Sequence, residues 1–198
     1  MSDTLQAPCA YQEEIKKSRF AACAAPVGSV AEAMAFLAAH SDPGATHNCW
    51  AYRIGQEYRY NDDGEPGGTA GRPILQAIEG QGLDRVAVLV LRWFGGIKLG
   101  AGGLVRAYGG CAAQCLRLGP RVPIIDTLRV NCRCGYAELP LLKARASQAG
   151  ASIEAETFDG EGAALTLAVP RHALRDLERI AADITRGRAC WQPVPPPG

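Results

Sequence analysis

Hydrophobic residues recur along the chain with two spacings, and the alternation between them predicts a succession of strands and helices. Apolar side chains follow helical spacing in VAEAMAFLAAH, residues 30–40, whereas HNCWAYRI, residues 47–54, alternates like a strand. A hairpin partner follows, then a long loop over 62–71, a short helix, and DRVAVLVLRWF, residues 84–94, whose apolar run is typical of a buried strand. A glycine-rich turn then leads into a second long helix. We expect the core-facing stripe of that helix to consist of Leu104, Tyr108, Cys111, Cys115 and Leu118.

The stretch GPRVPI, residues 119–124, contains two prolines and a glycine and marks a domain boundary. Beyond Asp126 the pattern is strand, helix, strand, strand, helix, strand. This βαββαβ order is that of a ferredoxin-like fold, with both helices on one face of the sheet. We therefore predict an α+β protein with domains at 1–122 and 126–193, followed by an extended, solvated Pro-rich tail at 194–198.

Composition and charge restrict the function classes. With 198 residues, 47% hydrophobic and 21% charged, the chain resembles an ordinary globular protein. Its formal net charge of +1 means that any binding to nucleic acid must come from a local patch. The N-terminus lacks a signal-peptide pattern, and the longest apolar run is too short to span a bilayer. We expect a soluble cytoplasmic protein with no membrane partner, and the sequence does not indicate its oligomeric state.

The eight cysteines are scattered, most of them among apolar neighbours. Their closest spacings are C-x-C and C-x-x-x-C, neither of which repeats the two-residue spacing of a zinc ribbon. We interpret them as reduced core residues. No metal and no other cofactor is predicted.

The segment RWFGGIKLGAGGLVRAYGG, residues 92–110, is the main candidate for a binding site. Glycines allow positive φ, so several backbone N–H groups can point to one place, and the following helix adds its own free N–H groups. Lys98 and Arg106 would add positive charge to the rim, and the basic run KKSRF, residues 16–20, would widen it. Such a turn suits a phosphate, a carboxylate or the backbone of RNA; alternatively, its glycines only allow close packing of helix on sheet. The glycines concerned are Gly95, Gly96, Gly100, Gly102 and Gly103.

A second candidate site lies in the loop YNDDGEPGGTAGRP, residues 60–73, which we call the acidic loop. Asp62, Asp63 and Glu65 bring three carboxylates together, which suits a cation or a shared proton, although the spacing is not that of a calcium loop. A solvated loop is the alternative interpretation. Thr69 is a candidate cap for the next helix, and Arg72 either pairs with these carboxylates or faces a ligand anion.

On the strand HNCWAYR, the period of two places His47 and Cys49 on one face and Trp50 and Tyr52 on the other. A Cys-His nucleophile pair would require a hydrogen bond between the first two side chains and an acidified thiol. The two aromatic residues either stack on bases or belong to the core.

Four segments in this order resemble the IMPACT family in its bacterial YigZ-like form, and the resemblance covers residues 16 to about 118. They are KKSRF, HNCWAYR, NDDGEPGGTAGRPIL and RWFGGIKLGAGGLVRAYGG; the sequence departs at Gly67, where serine is frequent. The resemblance implies a first domain related to the fourth domain of elongation factor G, with a left-handed βαβ crossover, and a ferredoxin-like second domain. It also implies a link to translation, because the eukaryotic relative regulates translation by competing for a partner of a stress kinase.

Three functions remain open on these grounds. The first is a non-catalytic regulator of translation that binds structured RNA or the ribosome through Lys98, Arg106 and the glycine-rich turn. The second is a metal-assisted enzyme acting on a small phosphorylated or carboxylated substrate through the acidic loop. The third is a protein-binding adaptor in the stress control of translation.

Overall fold

The N-terminal part of the chain, up to Ile124, forms an α+β unit built on one five-stranded sheet. The computed structural model describes residues 2–194. The elements of this unit are β1 (Asp3–Leu5), β2 (Cys9–Ile15), β3 (Ser18–Pro26), α1 (Val30–His40), β4 (His47–Ile54), β5 (Glu57–Asn61), α2 (Gly71–Gly80), β6 (Val86–Trp93), α3 (Ala101–Leu118) and β7 (Arg121–Pro123).

The strand order of this sheet is β2-β3-β6-β4-β5, and every neighbouring pair is antiparallel. Strands β3 and β4 are therefore parallel to each other, with β6 between them, and α1 connects them as a βαβ unit. The predicted helix over 30–40 and strand over 47–54 are confirmed. Ser29 caps α1 by accepting a hydrogen bond from the Glu32 N–H, which explains where this helix begins.

Each face of the sheet carries its own core. Helix α1 packs on one face around Leu37, Tyr52 and Leu89, and α2 and α3 pack on the other around a larger cluster that includes Ile74 and Leu116. The central strand β6 is consequently apolar on both faces, as its run predicted, whereas the edge strand β5 is exposed along its length.

The predicted stripe of α3 is wrong at its last position. Leu118 is 64% exposed, whereas Leu116 is fully buried. The other four stripe residues are buried as predicted. The helix ends at Leu118, before this side chain can reach the sheet, and the chain turns away at Gly119.

Part of the predicted boundary segment belongs to the N-terminal unit. Strand β7 pairs with β1 in a two-stranded antiparallel sheet, with Leu5 opposite Arg121. Gly119 is closely packed here, because a Cβ at this position would lie 2.6 Å from Leu5 Cδ2. The division between the two units falls after Ile124.

The C-terminal unit is a ferredoxin-like fold, as predicted. Its sheet has the order β11-β8-β10-β9 with antiparallel neighbours, and its core includes Leu142 from α4 and Leu177 from α5. Of the predicted tail, only Val194 lies within the described residues. The elements are β8 (Thr127–Cys134), α4 (Leu139–Gln148), β9 (Ser152–Phe158), β10 (Ala163–Pro170), a 3₁₀ turn (Arg171–Ala173), α5 (Leu174–Thr185) and β11 (Cys190–Pro193).

Among residues 2–194, no helix is long and apolar enough to cross a membrane. All eight cysteines are free thiols.

The burial difference along α3 gives a stability prediction. Leu116→Ala should lower the free energy of unfolding by about 2–5 kcal/mol, because it removes buried methyl groups and leaves a cavity. Leu118→Ala removes the same atoms from an exposed position and should change that free energy by no more than about 0.5 kcal/mol. Urea denaturation followed by circular dichroism measures both, and equal losses would contradict the assigned burial.

Candidate functional site

A buried ion pair lies where the acidic loop, β6 and α3 meet. Arg92 Nη1 donates to Glu65 Oε1 at 2.6 Å, and the Tyr108 hydroxyl donates to the same oxygen at 2.7 Å. Arg92 and Glu65 are 5% and 9% exposed, and Tyr108 is fully buried. A buried carboxylate that accepts two such hydrogen bonds has its charge compensated, so this arrangement can exist inside the protein.

The rest of the site is built on a row of side chains across the sheet. In the strand register, Arg92 on β6 lies opposite His47 on β4 and opposite Phe20 on β3. The Arg92 guanidinium lies 5.6 Å from the Phe20 ring centroid and 5.4 Å from that of Phe94. This cation therefore lies near two aromatic rings and is paired with a carboxylate.

Asp62 holds the acidic loop in shape. Its carboxylate accepts hydrogen bonds from the backbone N–H groups of Gly68, Ala70 and Gly71 at 2.8 to 3.0 Å. It thereby caps the start of α2. The prediction that Thr69 caps this helix is wrong, because the Thr69 hydroxyl donates to the Pro66 carbonyl oxygen. The Asp62 carboxylate, which lies across the loop, caps α2 in place of Thr69.

Asp63 fixes the start of β4. Its carboxylate accepts from the Asn48 N–H at 2.5 Å, and its carbonyl oxygen lies 2.7 Å from His47 Nδ1. Because a carbonyl oxygen only accepts, Nδ1 carries a hydrogen, and His47 Nε2 lies 3.8 Å from Glu65 Oε1. Asp63 itself has a positive φ of 43°, which an ordinary side chain adopts only where its surroundings impose it.

The three carboxylates therefore have separate partners and do not converge on one cation. Asp62 binds the loop backbone, Asp63 binds β4, and Glu65 binds Arg92 and Tyr108. Within residues 2–194, no group of three His, Cys, Asp or Glu side chains is arranged to hold a metal ion.

The glycines of the turn divide into two groups. Gly95 is needed for packing, because a Cβ there would lie 1.8 Å from the Lys17 carbonyl oxygen in the β2–β3 hairpin turn. Gly96 and Gly100 have positive φ values of 87° and 72° and shape the turn itself. Gly102 and Gly103 lie in the first turn of α3. Close packing therefore explains Gly95, although its contact is with the hairpin turn and not with a helix, and anion binding by the turn stays a prediction.

Helix α3 begins without a capping side chain. Gly100 occupies the N-cap position, no side chain within residues 2–194 caps this end, and the first turn contains no acidic residue. The N–H groups of the first turn and the positive end of the helix dipole are thus available to an anion. A pocket of about 400 Å³ at this end of the helix is lined by, among others, His47, Glu65, Arg92, Phe94, Lys98 and Ala101.

A smaller pocket of about 190 Å³ adjoins this one through Leu99. Lys16, from the hairpin turn, and Arg106, from the second turn of α3, both line it. The structure thus brings Lys98 and Arg106 to neighbouring positions around the start of α3, and it adds Lys16. Arg72 is exposed on α2 and lines neither pocket.

Cys49 and the aromatic residues of β4 have structural roles. Cys49 is fully buried, its thiol donates to the Asp62 carbonyl oxygen at 3.0 Å, and burial raises its pKa to about 12. No hydrogen bond joins it to His47 among the described residues. Trp50 and Tyr52 stack on each other, with ring centroids 6.0 Å apart, in the core beneath α1.

Comparisons with known proteins agree with this architecture. Residues 16–116 match the model of the Impact N-terminal domain, and residues 132–188 match a domain of unknown function, DUF1949. A protein of Thermus thermophilus named as an IMPACT family member in the pol 5′ region is 51% identical over 179 residues, which cover 88% of this chain and 97% of the relative. The chain belongs to the IMPACT family.

Two further matches to this IMPACT family protein extend over nearly all of its length. The Escherichia coli IMPACT family member YigZ is 35% identical over 188 residues, which cover 91% of this chain and 92% of YigZ. A crystal structure of a hypothetical protein covers 100% of both chains with a TM-score of 0.72 and 33% sequence identity.

The sequence of this IMPACT family protein did not indicate Arg92 or Tyr108 as parts of the site, nor the buried Ser18, whose hydroxyl oxygen accepts a hydrogen bond from the Gly95 N–H at 3.3 Å. A signal for Arg92 was present: in β6 it follows Val86, Val88 and Val90 on the same face, so a charge stands at a core-facing position. Nothing in the sequence indicated that Glu65, rather than its acidic neighbours, is its partner.

The close approach of Gly95 to the hairpin turn gives a second prediction. Gly95→Ala should lower the free energy of unfolding by about 1–3 kcal/mol, because the contact is with backbone that cannot rotate away. Gly102→Ala is the matched control: a Cβ there meets no atom within 4 Å. It should leave stability unchanged or raise it by up to about 1 kcal/mol. Thermal and urea denaturation test the pair.

The Cys49 environment predicts low thiol reactivity. Because the thiolate is the reactive form, a pKa raised to about 12 together with full burial should prevent alkylation of Cys49 by iodoacetamide at pH 8. The exposed Cys190 should react under the same conditions and serves as the internal control. Peptide mass spectrometry measures both, and labelling of Cys49 in the native protein would revive the nucleophile hypothesis.

Proposed function

We propose that this protein is a non-catalytic cytoplasmic regulator of translation that binds structured RNA or the ribosome through the basic surface at the start of α3. This basic surface consists of Lys16, Lys98 and Arg106 around the uncapped helix N-terminus. One observation carries the proposal: none of these three cations forms an ion pair with a carboxylate in the described part of the chain.

The position of these cations supports this interpretation. Some other cations, such as Arg129, Arg133 and Arg171, each lie within 2.7 Å of a carboxylate oxygen. Arg59 and Arg117 also form no ion pair within residues 2–194, but they do not lie at a helix N-terminus. Cations grouped around a helix N-terminus without acidic partners are the usual arrangement for binding phosphate, since each supplies charge that the protein itself does not neutralise. A backbone phosphate of RNA is the corresponding ligand.

Membership of the IMPACT family is coarse support for a role connected with translation. The names of the matched relatives state no ligand. Binding to RNA, the partner and the cytoplasmic location all belong to the proposal.

The separation of Asp62, Asp63 and Glu65 disfavours the metal-assisted enzyme. Each carboxylate is already occupied by hydrogen bonds within the fold, so binding a cation would break contacts that hold the loop. A protein-binding adaptor is the other alternative, and the experiment below separates it from RNA binding.

Titration of the protein with ribosomes and with structured RNA at several salt concentrations tests the proposal. The double variant Lys98→Ala/Arg106→Ala should bind more weakly, and the slope of log affinity against log salt should fall by about 0.7 to 0.9 for each phosphate contact removed. Arg59→Ala/Arg117→Ala removes the same charge from exposed positions away from the basic surface and is the control.

An equal loss of affinity in both double variants would mean that net charge alone drives binding. No loss of affinity in either variant would reject the basic surface as the binding site. Ribosome binding that is independent of salt and survives nuclease treatment would favour the protein-binding adaptor.

A further inference from the structure

The thiols of Cys9 and Cys115 lie in contact with each other between β2 and α3. Their sulfur atoms are 3.8 Å apart, although the two residues are 106 positions apart along the chain. This is the only hydrogen bond between two thiols among residues 2–194. Cys9 is the first residue of β2, and Cys115 lies in the last turn of α3. The fold, and not a spacing in the sequence, therefore brings this pair together.

The packing at this end of α3 leaves space for the two sulfur atoms. Gly119 follows the helix directly, and a Cβ at this position would lie 2.9 Å from Cys9 Sγ. Strand β2 is an edge strand that pairs only with β3, and Cys9 lies at the end of that pairing, opposite Ala24. The S–S distance of a disulfide is about 2.05 Å, so the two sulfur atoms must approach each other by about 1.8 Å. A residue at the end of an edge strand can make this movement with little loss of backbone pairing.

The two thiols differ in exposure and in acidity. Cys9 is half-buried, whereas Cys115 is fully buried. Cys115 Sγ also lies 3.5 Å from the Cys9 carbonyl oxygen and 3.7 Å from that of Ala22, and these oxygens only accept, so Cys115 is the donor. Its hydrogen bond lowers the pKa of the Cys9 thiol, whereas that hydrogen bond and burial raise the pKa of Cys115. Cys9 therefore becomes a thiolate first, and the thiolate is the form that reacts with oxidants.

The other buried cysteines have different surroundings. Cys111 lies one turn before Cys115 in α3, and Cys132 and Cys134 alternate on the core-facing side of β8. Within residues 2–194, no hydrogen bond joins any of these three thiols to another thiol. Buried thiols without a thiol in contact are inert core residues. The arrangement of Cys9 and Cys115 is thus specific to one pair.

A half-buried thiol in contact with a buried one can react with a hydroperoxide in two steps. The Cys9 thiolate attacks one peroxide oxygen; an S–O bond forms, the O–O bond breaks, and the second oxygen takes up a proton and leaves as water when the oxidant is hydrogen peroxide. The Cys115 sulfur then attacks the sulfenic acid at Cys9; the S–S bond forms, the S–O bond breaks, and a second water leaves with the Cys115 proton. The two thiols lose two electrons, and the peroxide gains them. A dithiol reverses the change by thiol–disulfide exchange and is itself oxidised to a disulfide.

We propose that Cys9 and Cys115 are a redox-active pair, which hydroperoxides convert to a disulfide and dithiols reduce again. The inference is independent of the RNA-binding function proposed above. The disulfide fastens β2 to α3, and these are the strand that leads to Lys16 and the helix that carries Arg106. Disulfides of this reversible kind act as redox sensors in compartments where most thiols are reduced.

The test treats the folded full-length protein with hydrogen peroxide, blocks the remaining thiols with N-ethylmaleimide, and maps disulfides in tryptic peptides by mass spectrometry without reduction. The peptide with Cys9 should be linked to the peptide that contains Cys111 and Cys115, and fragmentation should place the link at Cys115. This link should be at least about tenfold more abundant than any other, because the fold holds these two sulfur atoms together. Dithiothreitol should remove it, and oxidation in concentrated urea should abolish the preference.

Three variants separate the roles of the two thiols. In Cys115→Ser, the sulfenic acid at Cys9 should persist and react with dimedone, since the thiol that would consume it is gone. In Cys9→Ser, the buried Cys115 should remain unoxidised. Cys111→Ser changes a buried thiol one turn away in the same helix; it is the matched control and should keep the disulfide. Circular dichroism checks that each variant is folded.

The wild-type protein decides the outcome without any variant. The exposed Cys190 shows whether the oxidant has acted. If Cys190 is oxidised while the folded protein contains no link between Cys9 and Cys115, the inference is overturned. A link from Cys9 to Cys111 in place of Cys115, or an equal yield in folded and urea-denatured protein, also overturns it, because the fold would then not select this pair.

Discussion

Glu65 and Arg92 are both nearly buried, and neither charge would be tolerable there without the other. Their ion pair joins the acidic loop to the end of β6, and the Tyr108 hydroxyl extends it to α3. Three elements that are far apart in sequence therefore meet at one carboxylate oxygen. Because breaking such a pair leaves an uncompensated charge and costs about 3–5 kcal/mol, the loop, the strand and the helix can occupy only one relative arrangement.

That arrangement determines where the candidate ligand groups lie. The chain leaves β6 just after Arg92, passes Gly95 in contact with the β2–β3 hairpin turn, and enters α3 at Ala101. Both ends of the glycine-rich turn are thus held by the fold, one by backbone packing and the other by the helix that carries Tyr108. Lys98 and the first N–H groups of α3 are displayed between these two fixed points, and the same hairpin turn brings Lys16 to them.

The acidic loop shows why adjacency in sequence is a weak guide to shared chemistry. Asp62, Asp63 and Glu65 are near neighbours along the chain, yet the loop turns through positive φ at Asp63 and Gly64 and directs each carboxylate to a different partner. All three act within the fold: one caps α2, one anchors β4, and one neutralises Arg92. The site is consequently cationic at its rim and neutral at its floor, which suits an anion better than a metal ion.

The sequence by itself determined the order and type of the elements from α1 to α3 and from β8 to β11, because apolar spacing depends only on which face of a helix or strand is buried; it did not indicate β1, β2 or β7. It also indicated the glycine-rich turn, since positive φ and close backbone approach require glycine. The prediction that Leu118 is buried was wrong, because the helical spacing continues past the point where α3 leaves the sheet. The prediction that Thr69 caps α2 was wrong, because Asp62 caps this helix from across the loop. Only the tertiary structure decided that Arg92 faces Glu65 and that Lys16 stands beside Arg106. Such pairings join residues from different elements, and their partners depend on strand register and helix packing, which the pattern of any one segment does not contain.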